Sequence, residues 1–333
     1  MPKESGGRAH TRAFCAHQFA ESLHVAHNQA PCLSEQMNAM EWKSDTEFVV
    51  GGVRFLCSLD DYTRKTDQTR IIILKNRRSL ESYCTVLRNH IARNVLEFGV
   101  LEGGSAVLFS LLLDLDKFVG VELNVQPPGL RQFLSQQEVG KRIRLHFKTS
   151  QTDEAKIRNI IRNEFDGTPI DLIIDDASHA YALTKRTFEI AFPHLRPGGL
   201  YVIEDWGWPH WKGCSACMGE PALSKLIFEL SMVCATSPEI INDVWVHSSF
   251  TFIRKSEEAN EHLDFSIDNL YQKRGLYLTF EDFEAAFAAR TRELEAMRAT
   301  RGRHLLETLR RWRSRIAGGL RRGRRRARPG GLV

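Results

Sequence analysis

Residues Asp171–Trp211 read DLIIDDASHAYALTKRTFEIAFPHLRPGGLYVIEDWGWPHW, and this stretch decides the predicted fold. It contains two apolar runs, Leu172–Ile174 and Leu200–Ile203, and each run ends in a pair of acids. The segment between them predicts a helix over Tyr181–Leu195, followed by a turn at Pro197–Gly199. Strand, helix, turn and strand in this order predict a βαβ unit, in which the two strands are parallel neighbours.

The acid pairs at the ends of these two strands are the first candidate site. Asp175 and Asp176 follow the first strand, Glu204 and Asp205 follow the second, and His179 comes three residues after Asp176. Neighbouring strands lie about 4.8 Å apart, and open α/β sheets bind ligands at the carboxyl edge. Three carboxylates and an imidazole at that edge predict a divalent-metal site with a general base. Structural alternatives remain, because strand-end acids are common, an aspartate can cap a helix and a single histidine can be structural.

The rest of the chain extends the same alternation of strands and helices. Apolar runs predict strands at Asn94–Phe98, Lys117–Glu122 and Ile143–Lys148, each followed by a helical pattern. Two further strands, Ile240–His247 and Phe250–Lys255, follow each other with almost no linker, so they must pair antiparallel. The predicted fold class is therefore α/β, a doubly wound Rossmann-like sheet that is mostly parallel with an antiparallel closing strand.

The chain is expected to divide into four parts. Residues 1–69 form an N-terminal extension with a short hairpin around Gly51-Gly52. Residues 70–255 carry the α/β domain, residues 256–300 form a helical extension, and residues 301–333 form an arginine-rich tail.

A glycine-containing turn after the strand at Asn94–Phe98 is the second candidate site. It has the pattern Glu97-x-Gly99-x-x-x-Gly103, with Ser105 at the start of the next helix. Glycines allow a close approach of the backbone to a ligand, and Glu122 at the end of the next strand can accept both hydroxyls of a ribose. The dinucleotide pattern G-x-G-x-x-G is absent. An acid before the glycines suits a cationic ligand such as S-adenosylmethionine, whereas a tight turn without a ligand is the structural alternative.

These motifs resemble those of class I S-adenosylmethionine-dependent methyltransferases over roughly residues 70–255. The segment 175–179 together with 197–205 is similar, more narrowly, to the metal-dependent macrolide sugar O-methyltransferases of the mycinamicin 2''-O-methyltransferase type, and to cephalosporin-hydroxylase-like proteins. The resemblance implies S-adenosylmethionine as cofactor and Mg²⁺ or another divalent cation as metal.

The resemblance also implies roles for individual residues. Asp176, Glu204 and Asp205 would hold the metal, and His179 would be the catalytic base. A larger set would contact the cofactor: Glu97, Gly99, Gly103, Ser105, Glu122, Ser150, Gln151 and Asp175. Thr149-Ser150-Gln151 departs from the Gly-Asp-Gln of the family, so the adenine contact is expected to pass to Gln151 or to a backbone amide. Asp175 is placed on the cofactor side, because its side chain should point opposite to that of Asp176.

The implied function is O-methylation of a sugar hydroxyl in a small-molecule glycoside or natural product. Such a hydroxyl is a poor nucleophile, and an oxygen-ligated Mg²⁺ lowers its pKa while a neutral imidazole takes the proton. Trp206, Trp208 and Trp211 lie in the loop after the second strand and can pack on sugar C–H faces, or on their own domain. A catechol-type O-methyltransferase and a non-catalytic binding module of the same fold are the alternatives.

The charge and the cysteine content of the chain limit which binding partners and which cellular compartment are expected. Residues 301–333 carry twelve arginines and one glutamate, a formal charge of +11, so the other 300 residues carry −6 of the net +5. The body is therefore not expected to bind nucleic acid. The tail can be solvated, lie on an anionic membrane surface or bind nucleic acid, in that order of preference.

A cytoplasmic protein is expected, peripheral to a membrane if the tail binds one. The sequence shows neither a signal peptide nor an apolar run that could span a membrane. The seven cysteines include one CxxC pair, Cys214 and Cys217, which is weak evidence for a metal and favours free thiols. The sequence leaves the oligomeric state open, a homo-oligomer included.

Overall fold

The structure is a computed structural model that describes residues 40–59, 61–87, 90–212, 221–259, 265–272, 282–285, 287–292 and 294–297. The CxxC pair at Cys214 and Cys217 and the tail at 301–333 lie outside the described residues. The strands are β1 Glu41–Trp42, β2 Glu47–Val50, β3 Val53–Cys57, β4 Ile71–Ile73, β5 Asn94–Phe98, β6 Lys117–Val121, β7 Ile143–His146, β8 Ile170–Asp175, β9 Leu195–Glu204, β10 Ile241–Val246 and β11 Phe250–Lys255. The helices are α1 Arg77–Leu87, α2 Gly104–Leu112, α3 Pro128–Gln136, α4 Glu154–Phe165, α5 Tyr181–Ala191 and α6 Ser224–Thr236.

The central sheet has seven strands in the order β10-β11-β9-β8-β5-β6-β7. Strands β5 to β9 pair in parallel, whereas β11 pairs antiparallel with both β9 and β10. The predicted α/β class is confirmed, including the parallel βαβ unit of β8 and β9 and the antiparallel closing pair.

One local prediction in this unit was wrong. Pro197–Gly199 was expected to be the turn before the strand, but β9 already starts at Leu195 and includes these residues. The register with β8 jumps from Ile170 opposite Leu195 to Leu172 opposite Leu200, so the extra residues form a bulge. Gly198 has a φ of +69° inside the bulge, a conformation that glycine adopts without strain.

Alternate residues of the central strands face two separate apolar layers. Val95, Leu172 and Val202 belong to a layer that contains helices α1, α2 and α3. Leu96 and Ile173 belong to the opposite layer, which contains α4, α5 and α6. Two-residue alternation in buried strands therefore gives a three-layer sandwich with the sheet in the middle.

The N-terminal strands β1 to β4 form a second, four-stranded sheet. The hairpin predicted around Gly51-Gly52 is the pair β2–β3, and β4 adds in parallel to β3. Phe48 and Phe55 of this sheet are fully buried in the same layer as α1 and α2. The small sheet thus shares its core with the central sheet, and β4 ends beside the carboxyl edge of the central strands.

Among the described residues, no helix has the length and apolar character that crossing a membrane requires.

At the opposite edge of the central sheet, where β5 and β8 begin, Asp171 and His90 form hydrogen bonds that hold the strands together. The Asp171 carboxylate accepts the backbone N–H groups of Arg93 and Asn94 at 2.9 and 2.8 Å. The imidazole of His90 lies 3.1 Å by its Nε2 from the Asp171 carbonyl and is 7% exposed. Burial lowers the pKa of His90 to about 4, with the nearby Arg196 and Arg254 adding to this effect. The folded protein therefore keeps this imidazole neutral.

This shift predicts an acid-sensitive contribution of His90 to stability. The unfolded histidine titrates near 6.5 and the folded one near 4, so between these values the unfolded state binds more protons and stability falls as the pH falls. The free energy of unfolding should lose at most about 3 kcal/mol over that window. His90→Gln keeps a donor but cannot titrate, so urea unfolding at several pH values should show a flatter profile for this variant.

His146→Gln is the control, because His146 lies at the partly exposed side of the sheet against Glu164. Equal pH profiles for wild type and His90→Gln would contradict the assignment.

Candidate active site

A cavity of about 420 Å³ opens at the carboxyl edge of the central strands. Eight of the residues expected at the site line it: Gly99, Ser105, Glu122, Ser150, Gln151, Asp176, His179 and Asp205. Four others, Glu97, Gly103, Asp175 and Glu204, do not line it, although all were expected to bind the cofactor or the metal. The motifs predicted from separate parts of the chain therefore meet at one cavity, with some of their acids behind its wall.

The backbone holds the acid edge in an unusual conformation. The N–H of Asp176 donates to the carbonyl of Phe98 on β5 at 2.8 Å, and the N–H of Asp205 donates to Ser249 at 2.7 Å. His179 and Asp205 have positive φ angles of 52° and 53°. Left-handed backbone at a residue other than glycine costs energy and occurs mainly where the surrounding structure imposes it, often at functional sites. Leu101, which also lines the cavity, shares this conformation with a φ of 46°.

Three side chains at this edge are close enough to bind one metal ion. Asp176, His179 and Asp205 can each offer one ligand atom, and these atoms lie within 4.8 Å of one another. The Nε2 of His179 is 3.8 Å from Oδ1 of Asp176. Glu204, predicted as the third carboxylate ligand, is outside this group, and His179, predicted as the base, is inside it.

Glu204 instead forms an ion pair with Lys75, a residue that the sequence analysis did not single out. The ammonium Nζ of Lys75 lies 2.5 Å from Oε2 of Glu204 and 2.8 Å from Oδ2 of Asp176. The side chains of Lys75 and Glu204 are 7% and 5% exposed. The other oxygen of Glu204, Oε1, is buried without a hydrogen-bond partner among the described residues. The acids at this edge can therefore accept further positive charge.

The pKa values at the edge reflect the same shortage of positive charge. Burial, together with the neighbouring Asp176 carboxylate, raises the pKa of Asp205 to about 7. Burial and Asp176 also raise the pKa of Glu204. Burial lowers the pKa of His179, so its imidazole is neutral at neutral pH, and it donates a hydrogen bond to the Glu204 backbone. A neutral imidazole can serve as a metal ligand or accept a proton.

Glu97 is the most isolated acid of the region. It is fully buried, and neither carboxylate oxygen has a hydrogen-bond partner among the described residues. Burial raises its pKa well above the usual range, and the carboxylates of Asp176 and Glu204 add to this, whereas the hydroxyl of Ser105 and the ammonium of Lys75 oppose it. A buried acid without partners is costly unless a ligand supplies them. Its surroundings thus suit a cationic ligand, as its sequence position had predicted.

The two motif glycines allow close packing of backbone and side chains. A Cβ at Gly99 would lie 2.0 Å from the Asp176 carbonyl, and a Cβ at Gly103 would lie 2.4 Å from Leu130. Both glycines have positive φ angles, of 92° and 85°. Gly103 was expected to contact the cofactor, but a larger side chain there would first clash with Leu130 in the core. A larger side chain at Gly103 is therefore expected to lower the stability of the fold, so its effect on ligand binding could not be read separately.

Glu122 lines the cavity but already has donors within the protein. Its Oε2 accepts the backbone N–H groups of Val100 and Leu101 at 3.0 and 2.9 Å. Its Oε1 accepts two N–H groups of Asn124, both at 2.8 Å. A carboxylate offers about four lone pairs. Ribose hydroxyls would therefore have to share these positions, while the carboxylate fixes the glycine-containing turn against the next strand.

The remaining predicted cofactor contacts divide between the two sides of the sheet. Ser150 and Gln151 line the cavity, and the Gln151 amide donates to Thr187 at 2.8 Å. Asp175 points into the opposite layer, where its Oδ2 accepts the hydroxyl of Tyr201 at 3.2 Å. Burial raises the pKa of Asp175 to about 7. Its side chain does point opposite to Asp176, as predicted, but it faces the core.

The three indoles of the loop after β9 have different environments. Trp208 lines the cavity and packs on His179 with ring centroids 4.7 Å apart. Trp206 donates its indole N–H to the His247 carbonyl at 2.8 Å, which ties the loop to the β10–β11 connection. Trp211 is 56% exposed. Of the three, Trp208 is therefore the one positioned to contact a molecule in the cavity.

The sequence analysis also missed the wall supplied by the N-terminal sheet. Leu59 and Tyr62, which were assigned to a separate extension, line the cavity together with the segment 72–75. The available signal was the apolar run of β4 followed by a lysine, but this run does not indicate a partner for the charge.

A family model described as "Methyltransferase domain" matches residues 96–206, about a third of the chain. The matched segment runs from β5 through the loop after β9, so it covers most of the acids and glycines described above. The resemblance predicted from the sequence motifs is confirmed for this segment.

Curated relatives match over short segments. The chain is 42% identical over 74 residues to mycinamicin VI 2''-O-methyltransferase of Micromonospora griseorubida, covering 19% of this chain and 18% of the relative. It is 44% identical over 61 residues to 8-demethyl-8-alpha-L-rhamnosyl tetracenomycin-C 2'-O-methyltransferase of Streptomyces olivaceus, covering 18% and 15%. The chain thus spans less than a fifth of the length of these relatives.

A solved structure of the MycE methyltransferase from the mycinamycin pathway, in complex with Mg, SAH and mycinamycin VI, is 26% identical to this chain. The match covers 54% of this chain and 49% of the MycE chain, with a TM-score of 0.42.

Proposed function

We propose that this protein transfers a methyl group from S-adenosylmethionine to a hydroxyl group of a glycoside, with the help of a divalent cation such as Mg²⁺. The observation that carries the proposal is a set of buried and half-buried acids in and behind the wall of one cavity. Glu97, Asp176, Glu204 and Asp205 face a single ammonium group, that of Lys75, among the described residues. Such a site is stabilised by cationic ligands.

The cofactor part of the proposal rests on Glu97 and the glycine-containing turn. S-adenosylmethionine, when bound, supplies a methyl group that is activated by a sulfonium. Its two cationic groups match a buried carboxylate whose oxygens lack a well-formed hydrogen bond among the described residues. Gly99, Ser105 and Gln151 would line its binding site, since all three face the cavity.

The metal part rests on the carboxylate oxygens of Asp176 and Asp205, which lie within 4.8 Å of each other and of a ring nitrogen of His179. Carboxylate oxygens suit a hard cation such as Mg²⁺. Glu204 is a candidate for a further carboxylate ligand, but its Oε2 contacts Lys75; its Oε1 has no hydrogen-bond partner among the described residues. A divalent cation, when bound, lowers the pKa of a coordinated hydroxyl. His179 has a neutral imidazole at the cavity wall. We assign it the role of base, with one ring nitrogen held by the Glu204 carbonyl and the other accepting the proton of the acceptor hydroxyl.

The acceptor class rests on the names of the relatives and on the shape of the wall. The relatives are O-methyltransferases of mycinamicin VI and of a rhamnosyl tetracenomycin. Trp208 offers an indole face beside His179, which suits the C–H face of a sugar. The protein therefore acts on a small-molecule glycoside. A contact of the basic tail with an anionic membrane surface, which would place the protein at the membrane periphery, rests on its charge alone.

The cofactor assignment predicts a specific effect of Glu97→Gln. The substitution keeps the shape of the side chain but removes the carboxyl group, which can ionise when a cationic ligand binds beside it. Calorimetry should show the affinity for S-adenosylmethionine falling about 10- to 100-fold, the usual worth of a charged hydrogen bond. Glu164→Gln, at the partly exposed pair with His146, should bind like wild type. Unchanged affinity in Glu97→Gln would refute the role of this carboxylate.

The reaction itself is tested by transfer of label from S-adenosylmethionine to a panel of glycosides. EDTA should abolish the transfer and added Mg²⁺ should restore it, because the acceptor hydroxyl depends on the cation for its acidity. A catechol in the same panel tests the alternative acceptor class. Full transfer in EDTA would remove the metal from the mechanism, and transfer to the catechol alone would replace the glycoside assignment.

The role of His179 is decided by comparing turnover with metal binding in His179→Ala. If the imidazole is the base, turnover should fall about 10²–10⁴-fold, while calorimetric Mg²⁺ affinity stays near that of wild type. His210→Ala is the control, because His210 lies 2.7 Å from the hydroxyl of Ser224 outside the cavity lining. Loss of Mg²⁺ binding in His179→Ala would make this residue a ligand instead.

A further inference from the structure

Lys75 reaches the acid edge from a different sheet. It follows β4, which is hydrogen-bonded to β3 of the N-terminal sheet and not to any central strand. Its partners Asp176 and Glu204 are 101 and 129 residues away along the chain. Both contacts are short, at 2.8 and 2.5 Å, and the lysine side chain is almost completely buried. A buried lysine with two acid partners is a specific arrangement, because an unpaired ammonium would be excluded from this position.

The contacts of Lys75 occupy one oxygen of each of the two carboxylates. Oδ2 of Asp176 and Oε2 of Glu204 both point to its ammonium group. A charged ammonium has no lone pair and cannot be a metal ligand. A divalent cation bound to the same carboxylates would repel it, because like charges a few ångströms apart in a low-dielectric pocket interact strongly. Full coordination by Asp176 and Glu204 is therefore incompatible with the present position of Lys75.

The cavity beside Lys75 offers space into which its ammonium group can move. Its side chain lines the cavity together with Leu74 of the same segment and Trp208 of the opposite wall. Its four-carbon stem is flexible, so the ammonium can turn toward the cavity while the backbone stays in place. The metal-capable group of Asp176, His179 and Asp205 exists with Lys75 in position, and Glu204 would join it when Lys75 leaves.

We propose that Lys75 is a built-in counter-ion that neutralises Asp176 and Glu204 in the metal-free protein and is displaced when a divalent cation binds. This inference rests on the proposed metal-assisted function. The internal ammonium stabilises the empty acid edge and weakens metal binding, because the metal must compete with it. Displacement also frees Glu204 as a ligand, so the exchange links the N-terminal sheet to the loading of the site.

The test is Mg²⁺ binding to the full chain carrying Lys75→Met, which keeps an unbranched side chain one atom shorter and removes the charge. Calorimetry should show Mg²⁺ binding about tenfold tighter or more than in wild type, the scale of coupling between two competing ligands. In EDTA the variant should melt at a lower temperature than wild type, and Mg²⁺ should raise its melting temperature by more.

Lys185→Met is the matched control. Lys185 is also mostly buried, with a side chain 11% exposed, and it also has two acid partners, Glu229 and Asp268. These acids are not part of the cavity lining, so this variant should bind Mg²⁺ like wild type. Equal or weaker Mg²⁺ binding by Lys75→Met would overturn the proposal and make Lys75 a fixed organiser of the carboxylates.

A second measurement keeps the proposal testable if Lys75→Met does not fold. In wild-type protein, the rate at which an amine-acylating reagent modifies Lys75 can be followed by mass spectrometry. Saturating Mg²⁺ should increase the modification of Lys75 and leave that of Lys185 unchanged. Protection of Lys75 that persists in the presence of bound Mg²⁺ would overturn the exchange.

Failure of the exchange and failure of the proposed function give different results. If Lys75→Met binds Mg²⁺ more tightly but wild type transfers no methyl group, the exchange is supported and the proposed function is refuted. If wild type transfers the methyl group in a metal-dependent way but Lys75→Met binds Mg²⁺ with unchanged affinity, only the exchange is refuted. Absence of Mg²⁺ binding in both proteins would overturn both.

Discussion

The ion pair of Lys75 with Asp176 and Glu204 is the interaction on which the arrangement of the site depends. Two neighbouring parallel strands end in acids at the same edge, and the fold buries these acids beside a cavity. Charges of one sign in a low-dielectric site are destabilising unless opposite charge is close. The lysine supplies part of that charge from the N-terminal sheet, and cationic ligands would supply the rest. The packing of the N-terminal sheet against the central sheet therefore also places the ammonium group that balances part of the acid charge at the cavity.

The sequence predicted the elements of the central sheet well, because their signals are local. Apolar runs ending in acid or glycine marked β5, β8 and β9, and the short connection between β10 and β11 required antiparallel pairing. The bulge at Pro197–Gly199 escaped prediction, since proline and glycine signal a turn more strongly than an irregular strand. Its effect was confined to the start of the strand, and the acids at the other end kept the predicted register.

The parts of the site that escaped prediction depend on contacts between distant segments. Nothing near Lys75 in the sequence indicates an acid partner, because both partners come from another sheet. The direction of a glycine's missing side chain is likewise set by tertiary packing, so Gly103 was assigned to a ligand although Leu130 occupies the space beside it. Glu122 was correctly placed at the cavity, but its donors in the turn at Val100 and Leu101 follow from geometry that spacing alone does not give.

The left-handed backbone at Leu101, His179 and Asp205 has a consequence for the evolution and engineering of this protein. Three cavity residues in a conformation that costs energy make the site a place where stability has been given up for geometry. Glycine or asparagine at these positions would relieve strain, so variants selected only for thermal resistance would accumulate changes there. Such variants would trade catalytic competence for robustness, and improvements in stability are better sought in the layers far from the cavity.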